Sequence, residues 1–210
     1  MGRYTGPSCR LCRREGVKLF LKGLRCETAK CQIERRQRHL APGMHGWRRP
    51  RRGEYLKRLR EKQKVKRYYG VLERAFMRCF RLAARRPGNT GKALLELLER
   101  RLDNVVYKLN WAPSRKAARQ LIAHGHIRVN GRKVDRPGYI TRVGDRISVK
   151  NREGSIKLVR QQLDTNPNFV TQGWLQLDRA NLEATVVGIP AREDVQIPVE
   201  EQLIVEICSR

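Results

Sequence analysis

Ser114-Arg115-Lys116-Ala117-Ala118-Arg119-Gln120-Leu121-Ile122-Ala123-His124-Gly125-His126-Ile127-Arg128-Val129-Asn130-Gly131 is the stretch whose reading decides the fold. Ser114, after Pro113, is a good helix N-cap and Gly125 a good residue just past a helix end, so a short helix is expected over 115–124. At about 100° per residue, Arg115, Lys116, Arg119 and Gln120 fall on one side, and Ala117, Ala118, Leu121 and Ile122 on the other. The apolar side can pack on a core while the basic side offers donors to phosphates. Ile127-Arg128-Val129 then alternates as a strand, and Asn130-Gly131 is the strongest short hairpin signal a sequence can carry. Arg132-Lys133-Val134 returns, and Val143-Gly144-Asp145 turns into a further alternating stretch, Arg146-Ile147-Ser148-Val149. A basic helix face beside a small sheet rimmed by Arg128, Arg132, Lys133 and Arg146 suits the shape and phosphates of folded RNA better than base edges in a groove.

Upstream of this unit the periodicity is helical. A helix over 54–68 is expected, basic on most of its surface, with Lys62, Lys64, Lys66 and Arg67 as candidate RNA contacts and Gly70 at its end. Leu72, Ala75, Phe76, Cys79, Phe80 and Ala83 recur at the spacing of an amphipathic helix. Cys79 within that stripe reads as a small buried hydrophobe. Pro87-Gly88-Asn89 breaks the pattern, Thr90 is placed to cap the next helix, and Leu94 to Leu109 form a second stripe on one or two helices. Downstream, short strands are expected at 174–177, 184–187 and 203–207.

Charge narrows the partner. Lys and Arg number 47 against 20 Asp and Glu, a formal net charge of +27. Residues 1–70 hold 22 basic and 5 acidic side chains, residues 71–164 hold 22 and 8, and residues 165–210 hold 3 and 7. A compact chain of that charge repels itself until a polyanion neutralises it, and bases near phosphates gain affinity by releasing counterions. The first three-quarters of the chain should meet the polyanion, and the acidic tail should face protein or solvent. With no apolar run of membrane-spanning length and no signal-peptide core, a soluble intracellular protein is expected.

Cys9-x2-Cys12-x13-Cys26-x4-Cys31 holds four of the six cysteines. Two close pairs across a short loop are what a four-thiolate site requires, and disulfides are disfavoured inside a cell. One structural zinc is expected, with a [4Fe–4S] cluster as the alternative on the same cysteines. His39 and His45 could substitute but are not needed. Residues 1–45 have little apolar material, so metal binding would supply their folding energy and position Arg3, Arg10, Arg13 and Arg14. After the Ala41-Pro42-Gly43 loop come Arg48, Arg49, Arg51 and Arg52, where side chains can project without packing and track a single strand through its phosphates. Trp47 beside them either stacks on a base or anchors the loop.

Several segments resemble a known family. Arg101-Leu102-Asp103-Asn104-Val105-Val106-Tyr107, 114–122 and 125–131 are similar to the S-four RNA-binding domain. Met1-Gly2-Arg3-Tyr4, Arg13-Arg14-Glu15-Gly16, Ala41-Pro42-Gly43, Leu59-Arg60-Glu61-Lys62-Gln63-Lys64 and Glu201-Gln202-Leu203-Ile204-Val205-Glu206 extend the resemblance to the bacterial ribosomal protein S-four family, almost end to end. The resemblance implies a structural rRNA-binding protein of the small ribosomal subunit, in the cytoplasm. It implies binding at a helix junction in the 5′ domain of 16S rRNA early in assembly, contact with ribosomal protein S-five, a place at the entrance for mRNA, and an effect on translational accuracy. Some members of that family carry the cysteine set and others lack it. The expected fold is α+β in four parts: a four-cysteine segment over 1–45; a mainly helical rRNA-binding domain over 46–99, completed by 165–210; a small inserted α/β S-four-type domain over 100–164; and short C-terminal strands.

Catalysis is not expected. No P-loop, dinucleotide glycine motif or nucleophile elbow is present. His124-x-His126 is the only close histidine pair; beside Gly125 it is read as capping the helix or touching phosphate. An RNA-modifying enzyme could share the small RNA-binding module, but too few residues follow position 164 for a catalytic domain. A zinc-bearing DNA regulator would want a recognition helix and a dimer seam. No membrane, small-molecule substrate or homo-oligomer is expected. The RNA-contact set is completed by Tyr4, Ser114, His124 and Asn130.

Overall fold

A computed structural model describes residues 4–35, 40–48, 53–167 and 169–209. Arg3, His39, Arg49, Arg51 and Arg52 lie outside the described residues. The chain divides into two compact units, Met1–Leu94 with Gln196–Arg210, and Leu95–Val195.

The first unit is helical. Helix α1 (Ser8–Glu15) is closed by Gly16 at φ 72°, a left-handed position that a glycine takes without strain. A single 3-10 turn follows at Gly23–Cys26. Helix α2 (Glu54–Tyr68) has the expected bounds, and α3 (Glu73–Ala84) buries Phe76, Cys79, Phe80 and Ala83. Leu72 precedes the helix and stays exposed. Helix α4 (Thr90–Glu99) is capped by Asn89, not by Thr90: the Asn89 Oδ1 accepts the N–H groups of Gly91 at 2.9 Å and Lys92 at 3.1 Å. The asparagine stands one residue nearer the helix-free side, where its carbonyl reaches two orphan amides at once.

Residues 203–207 are helical rather than a strand. They form the middle of helix α8 (Glu201–Cys208), which packs along α2 and buries Ile204 and Cys208, one turn apart. The β-branched run favours a strand locally, and burial against α2 overrides that preference.

The second unit is a sheet covered by helices. Helix α5 (Leu102–Lys108) is buried almost throughout; α6 (Arg115–Ala123) follows, and α7 (Glu153–Thr165) is a helix the sequence reading did not foresee. Strands β1 (Ile127–Val129), β2 (Arg132–Lys133), β3 (Arg146–Val149), β4 (Leu175–Asp178) and β5 (Glu183–Val186) form one antiparallel sheet in the order β2-β1-β3-β5-β4. Its inner row is Val129, Ile147, Ala184 and Leu177 in register. Val129, Ile147 and Ala184 join Leu102, Val105, Leu109, Trp111, Ile122 and Val159 in one core.

This changes the expected domain limits. β4 and β5 do not return to the helical unit; they extend the sheet begun by β1–β3, and only 196–210 return. The physical reason is an unpaired edge: β3 would otherwise expose its hydrogen-bonding groups, and β5 pairs with it from Arg146↔Thr185 to Ser148↔Glu183.

Candidate nucleic-acid interface

The hairpin and its neighbours are held by their own side chains. Asn130 sits at φ 50° in the turn. Its Nδ2 donates to Asp145 Oδ1 and its Oδ1 accepts the Arg146 N–H, both at 2.9 Å. Asn130 therefore fixes the turn against β3 through both ends of its amide. Gly125, at φ 73°, ends the α6 turn beneath Lys133: a Cβ there would stand 2.5 Å from Lys133 Cε. Lys133 thus lies across the end of α6, and its partner in register is Arg128. On the outward face of the sheet, Lys133, Arg128 and Ser148 stand in one row that continues through Glu183 to Asp178. The basic end of this row is at β2 and β1 and the acidic end at β4. A polyanion is drawn to the first and repelled from the second.

Helix α6 does not present the four-residue polar face expected of it. Ser114 caps it, accepting the Ala117 N–H at 3.3 Å. Arg115 is buried, 6% exposed. Its Nε donates to Asn104 Oδ1 at 2.8 Å and its guanidinium lies 4.5 Å over the Tyr107 ring. Asn104 in turn donates to the carboxylate of Glu99 at 2.6 Å. Arg119 is half-buried, 3.6 Å from Asp103, whose other partner is the buried Arg101 at 2.7 Å. The helical wheel placed Arg115 on the polar side correctly but could not show that α5 covers that side with acceptors. Lys116 and Gln120 remain exposed, with His124 just past the last turn. His124 takes the helix C-cap position. His126 Nδ1 and Ser155 Oγ are 2.9 Å apart. Burial, with His124, Lys150 and Arg152 adding to it, holds the His126 imidazole below its ordinary value.

In the helical unit the nominated bases of α2 are engaged within the protein. Lys62 and Lys66 hold Glu73 at 2.5 and 2.9 Å, Lys64 holds Glu61 at 2.5 Å, and Arg67 pairs with Glu15. The side chain of Glu15 is fully buried and also faces Arg60 at 3.4 Å, so α1 is pinned to α2 through one carboxylate. Burial pushes that carboxyl above its usual value, against the opposing pull of Arg67 and Arg60. Arg10 and Arg14 are exposed on α1, while Arg13 donates to the carbonyls of Leu40 and Ala41 and so anchors the following loop. Tyr4 is exposed. Arg48 stacks 5.0 Å from the centre of the Trp47 ring, and both are exposed. Along α3, Arg74, Arg78, Arg81 and Arg85 face solvent; the sequence reading followed the apolar stripe of this helix and passed over its basic one.

The four N-terminal cysteines are free thiols, Cys12 and Cys26 buried and Cys9 and Cys31 half-buried. Burial pushes the Cys12 thiol up, and Cys26, Cys9 and Cys31 each add to that, so the four sulfurs share one neighbourhood. The Lys22 N–H points at Cys26 Sγ from 3.4 Å. The donor chemistry fits zinc or an iron–sulfur cluster. Among the described residues, however, no group of three or more His, Cys, Asp or Glu side chains is gathered closely enough to hold a metal ion.

Residues 3–99 match the model of the ribosomal protein S4/S9 N-terminal domain, and residues 100–147 match the S4 domain. The chain is 52% identical over 210 residues to the small ribosomal subunit protein uS4 of Thermoanaerobacter sp., with all of both chains covered. It is 52% identical over 211 residues to that of Thermus thermophilus and 53% over 210 to that of Halothermothrix orenii, again with full coverage of both.

The chain belongs to the uS4 family. The S4-domain match ends at residue 147, inside β3, whereas the sheet continues through β4 and β5. The N-terminal match ends at Glu99, within a few residues of the division between the two units. The uS4 relatives are ribosomal proteins and not enzymes, and among the described residues no helix is long and apolar enough to cross a membrane.

Proposed function

We propose that the chain is a structural, non-catalytic rRNA-binding component of the small ribosomal subunit, cytoplasmic with the ribosome. The observation that carries this reading is the full-length likeness to uS4 proteins together with an exposed basic edge on the S4-type sheet. Arg132, Lys133 and Arg146, with the half-buried Arg128 and with Lys116 contributed by α6, supply that basic surface. They contact phosphates of a helix junction in the 5′ domain of 16S rRNA, joined early in assembly. Phosphate contacts of this kind position the RNA without reading its sequence. Filter binding of 5′-domain 16S rRNA against duplex DNA of equal length tests the reading. Tighter binding of the rRNA at every salt concentration supports it, and equal affinity for both overturns it.

Three finer assignments belong to the same proposal. Cys9, Cys12, Cys26 and Cys31 would hold one structural zinc, or a [4Fe–4S] cluster; the support is four free thiols in one neighbourhood with a backbone N–H at Cys26. Bound there, the metal would fix α1 and with it Arg10, Arg14 and the buried Glu15. Arg48, with Arg49, Arg51 and Arg52, would line the path of incoming mRNA and contribute to accuracy. Replacing all four by Ala should leave subunit assembly intact and slow translation through stable hairpins, and unchanged hairpin transit at full occupancy of the mutant protein overturns that role. Ribosomal protein S-five would be the neighbouring protein.

A further inference from the structure

A groove runs between α6 and α7, lined by Ala117 and Leu121 of the first helix, Leu158 and Gln161 of the second, and Trp111 ahead of both. It holds about 500 Å³, room for a few side chains. None of its eleven lining residues is Lys, Arg, Asp or Glu, in a chain of which 32% is charged. The core takes Ser155 and Val159 of α7 and leaves Leu158 outside it, 50% exposed. Trp111 is 1% exposed, and among the described residues its indole N–H has no acceptor. A buried donor left unpaired bears the full cost of its lost water. Because Trp111 lines the groove, an occupant can supply the hydrogen bond that the protein does not make for itself.

We propose that this groove docks an uncharged segment of a neighbouring protein, which seats one or two apolar side chains against Trp111, Leu121 and Leu158 and turns a carbonyl oxygen to the Trp111 N–H. It rests on the reading that the chain sits in a ribosomal particle, and it adds a protein contact to a unit so far assigned to RNA alone. Charge selects the occupant. RNA gains its affinity from Lys and Arg at its phosphates, and a base splayed into the groove would bring phosphates to a lining that has neither. Arg132, Lys133 and Arg146 stand on the sheet instead. The centres of protein interfaces have the composition seen here, depleted in charge and enriched in aromatic residues. Tryptophan is prominent among the side chains that dominate binding. The amides of Gln120 and Gln161, both exposed, each offer donors and an acceptor to a peptide backbone passing over them.

The test uses 30S particles that carry the full chain with photo-reactive p-benzoylphenylalanine in place of Leu158. Irradiation should join the chain to one ribosomal protein, through a peptide with an apolar side chain and no charged one at the point of attachment. That protein is then purified and its Kd measured for the chain bound to 5′-domain 16S rRNA. Leu158→Glu should raise the Kd about 10-fold or more, because a carboxylate would lose its water there unpaired. Trp111→Phe, which removes the N–H, should raise it about 2- to 10-fold, the loss of one neutral hydrogen bond. Lys157→Gln changes the charge by the same single unit at an exposed neighbour outside the groove, and should leave the Kd as it is. Leu158 is half exposed, so the thermal midpoint of Leu158→Glu should hold. Attachment to 16S rRNA overturns the proposal in favour of nucleic acid and leaves the rRNA reading standing. Attachment to nothing outside the chain, in particles that contain it, shows a groove open to solvent and overturns the proposal as well. So does a protein joined through a charged peptide, or a Kd that Leu158→Glu leaves unchanged. A chain absent from the particles overturns both readings.

Discussion

Replacing Arg115 by Ala separates burial from RNA contact more cleanly than any other single change. The substitution removes a charged hydrogen bond of 2.8 Å to Asn104 and a guanidinium 4.5 Å over Tyr107. A hydrogen bond to a charged group contributes about 1.5–3 kcal/mol, and a desolvated cation over a ring about 1–2 kcal/mol. Part of this is offset because a buried cation no longer has to be desolvated. A net loss of about 3 kcal/mol follows. In a domain of about 100 residues each kcal/mol moves the thermal midpoint by about 4–8 °C, so the second unit should unfold roughly 15 °C earlier by near-UV circular dichroism. Arg115→Lys should recover only part of this, since an ammonium cannot reproduce the planar fork and the ring contact together. Below the lowered midpoint, the salt dependence of rRNA binding should be that of wild type. A slope reduced by about 0.7–0.9 with an unmoved midpoint would show that Arg115 faces phosphate and that the buried network has been misjudged.

Lys116→Ala and Lys133→Ala, at exposed positions, should each lower the salt slope by about 0.7–0.9 and leave the midpoint within about 0.5 kcal/mol; midpoints that fall in both would make these lysines structural. Elemental analysis should find one zinc, or about four irons, in wild type and in Cys79→Ser and Cys208→Ser, and little in the double variant Cys9→Ser, Cys26→Ser; metal retained in full there would eliminate the four-cysteine site. His126 is held below its ordinary value by burial and by His124, Lys150 and Arg152. The unfolded chain therefore binds that proton more readily than the folded one. Stability should fall as pH drops through about 6.5, the ordinary imidazole value. Urea midpoints at several pH values should show this slope, and His126→Asn should flatten it.

Much of the fold was legible because local chemistry and final packing agree. Ser114, Gly125 and Asn130-Gly131 place α6 and the hairpin to within a residue, and the apolar stripe 76–83 gives α3 its buried face. What escaped the sequence depends on partners far along the chain. Residues 175–178 and 183–186 look like strands from alternation alone, but that the second pairs with β3 follows from an open sheet edge about 37 residues earlier. Residues 203–207 carry strand-forming side chains that α2 recruits into a helix. The same limit governs the interface. Net charge and a helical wheel identify Arg115, Arg119 and the α2 lysines as basic, yet Asn104, Asp103, Glu61 and Glu73 absorb them. Residues that keep their charge, such as Lys133 and the arginines of α3, differ from these only in what stands opposite.

Sedimentation of the tagged chain expressed in a bacterial host tests the central claim most directly. The account predicts that the chain travels with 30S particles through sucrose gradients, one copy per particle, and is released when 16S rRNA is digested. A chain that stays at the top of the gradient at physiological salt, or that sediments with particles only at low ionic strength where any cation adheres to RNA, would contradict it.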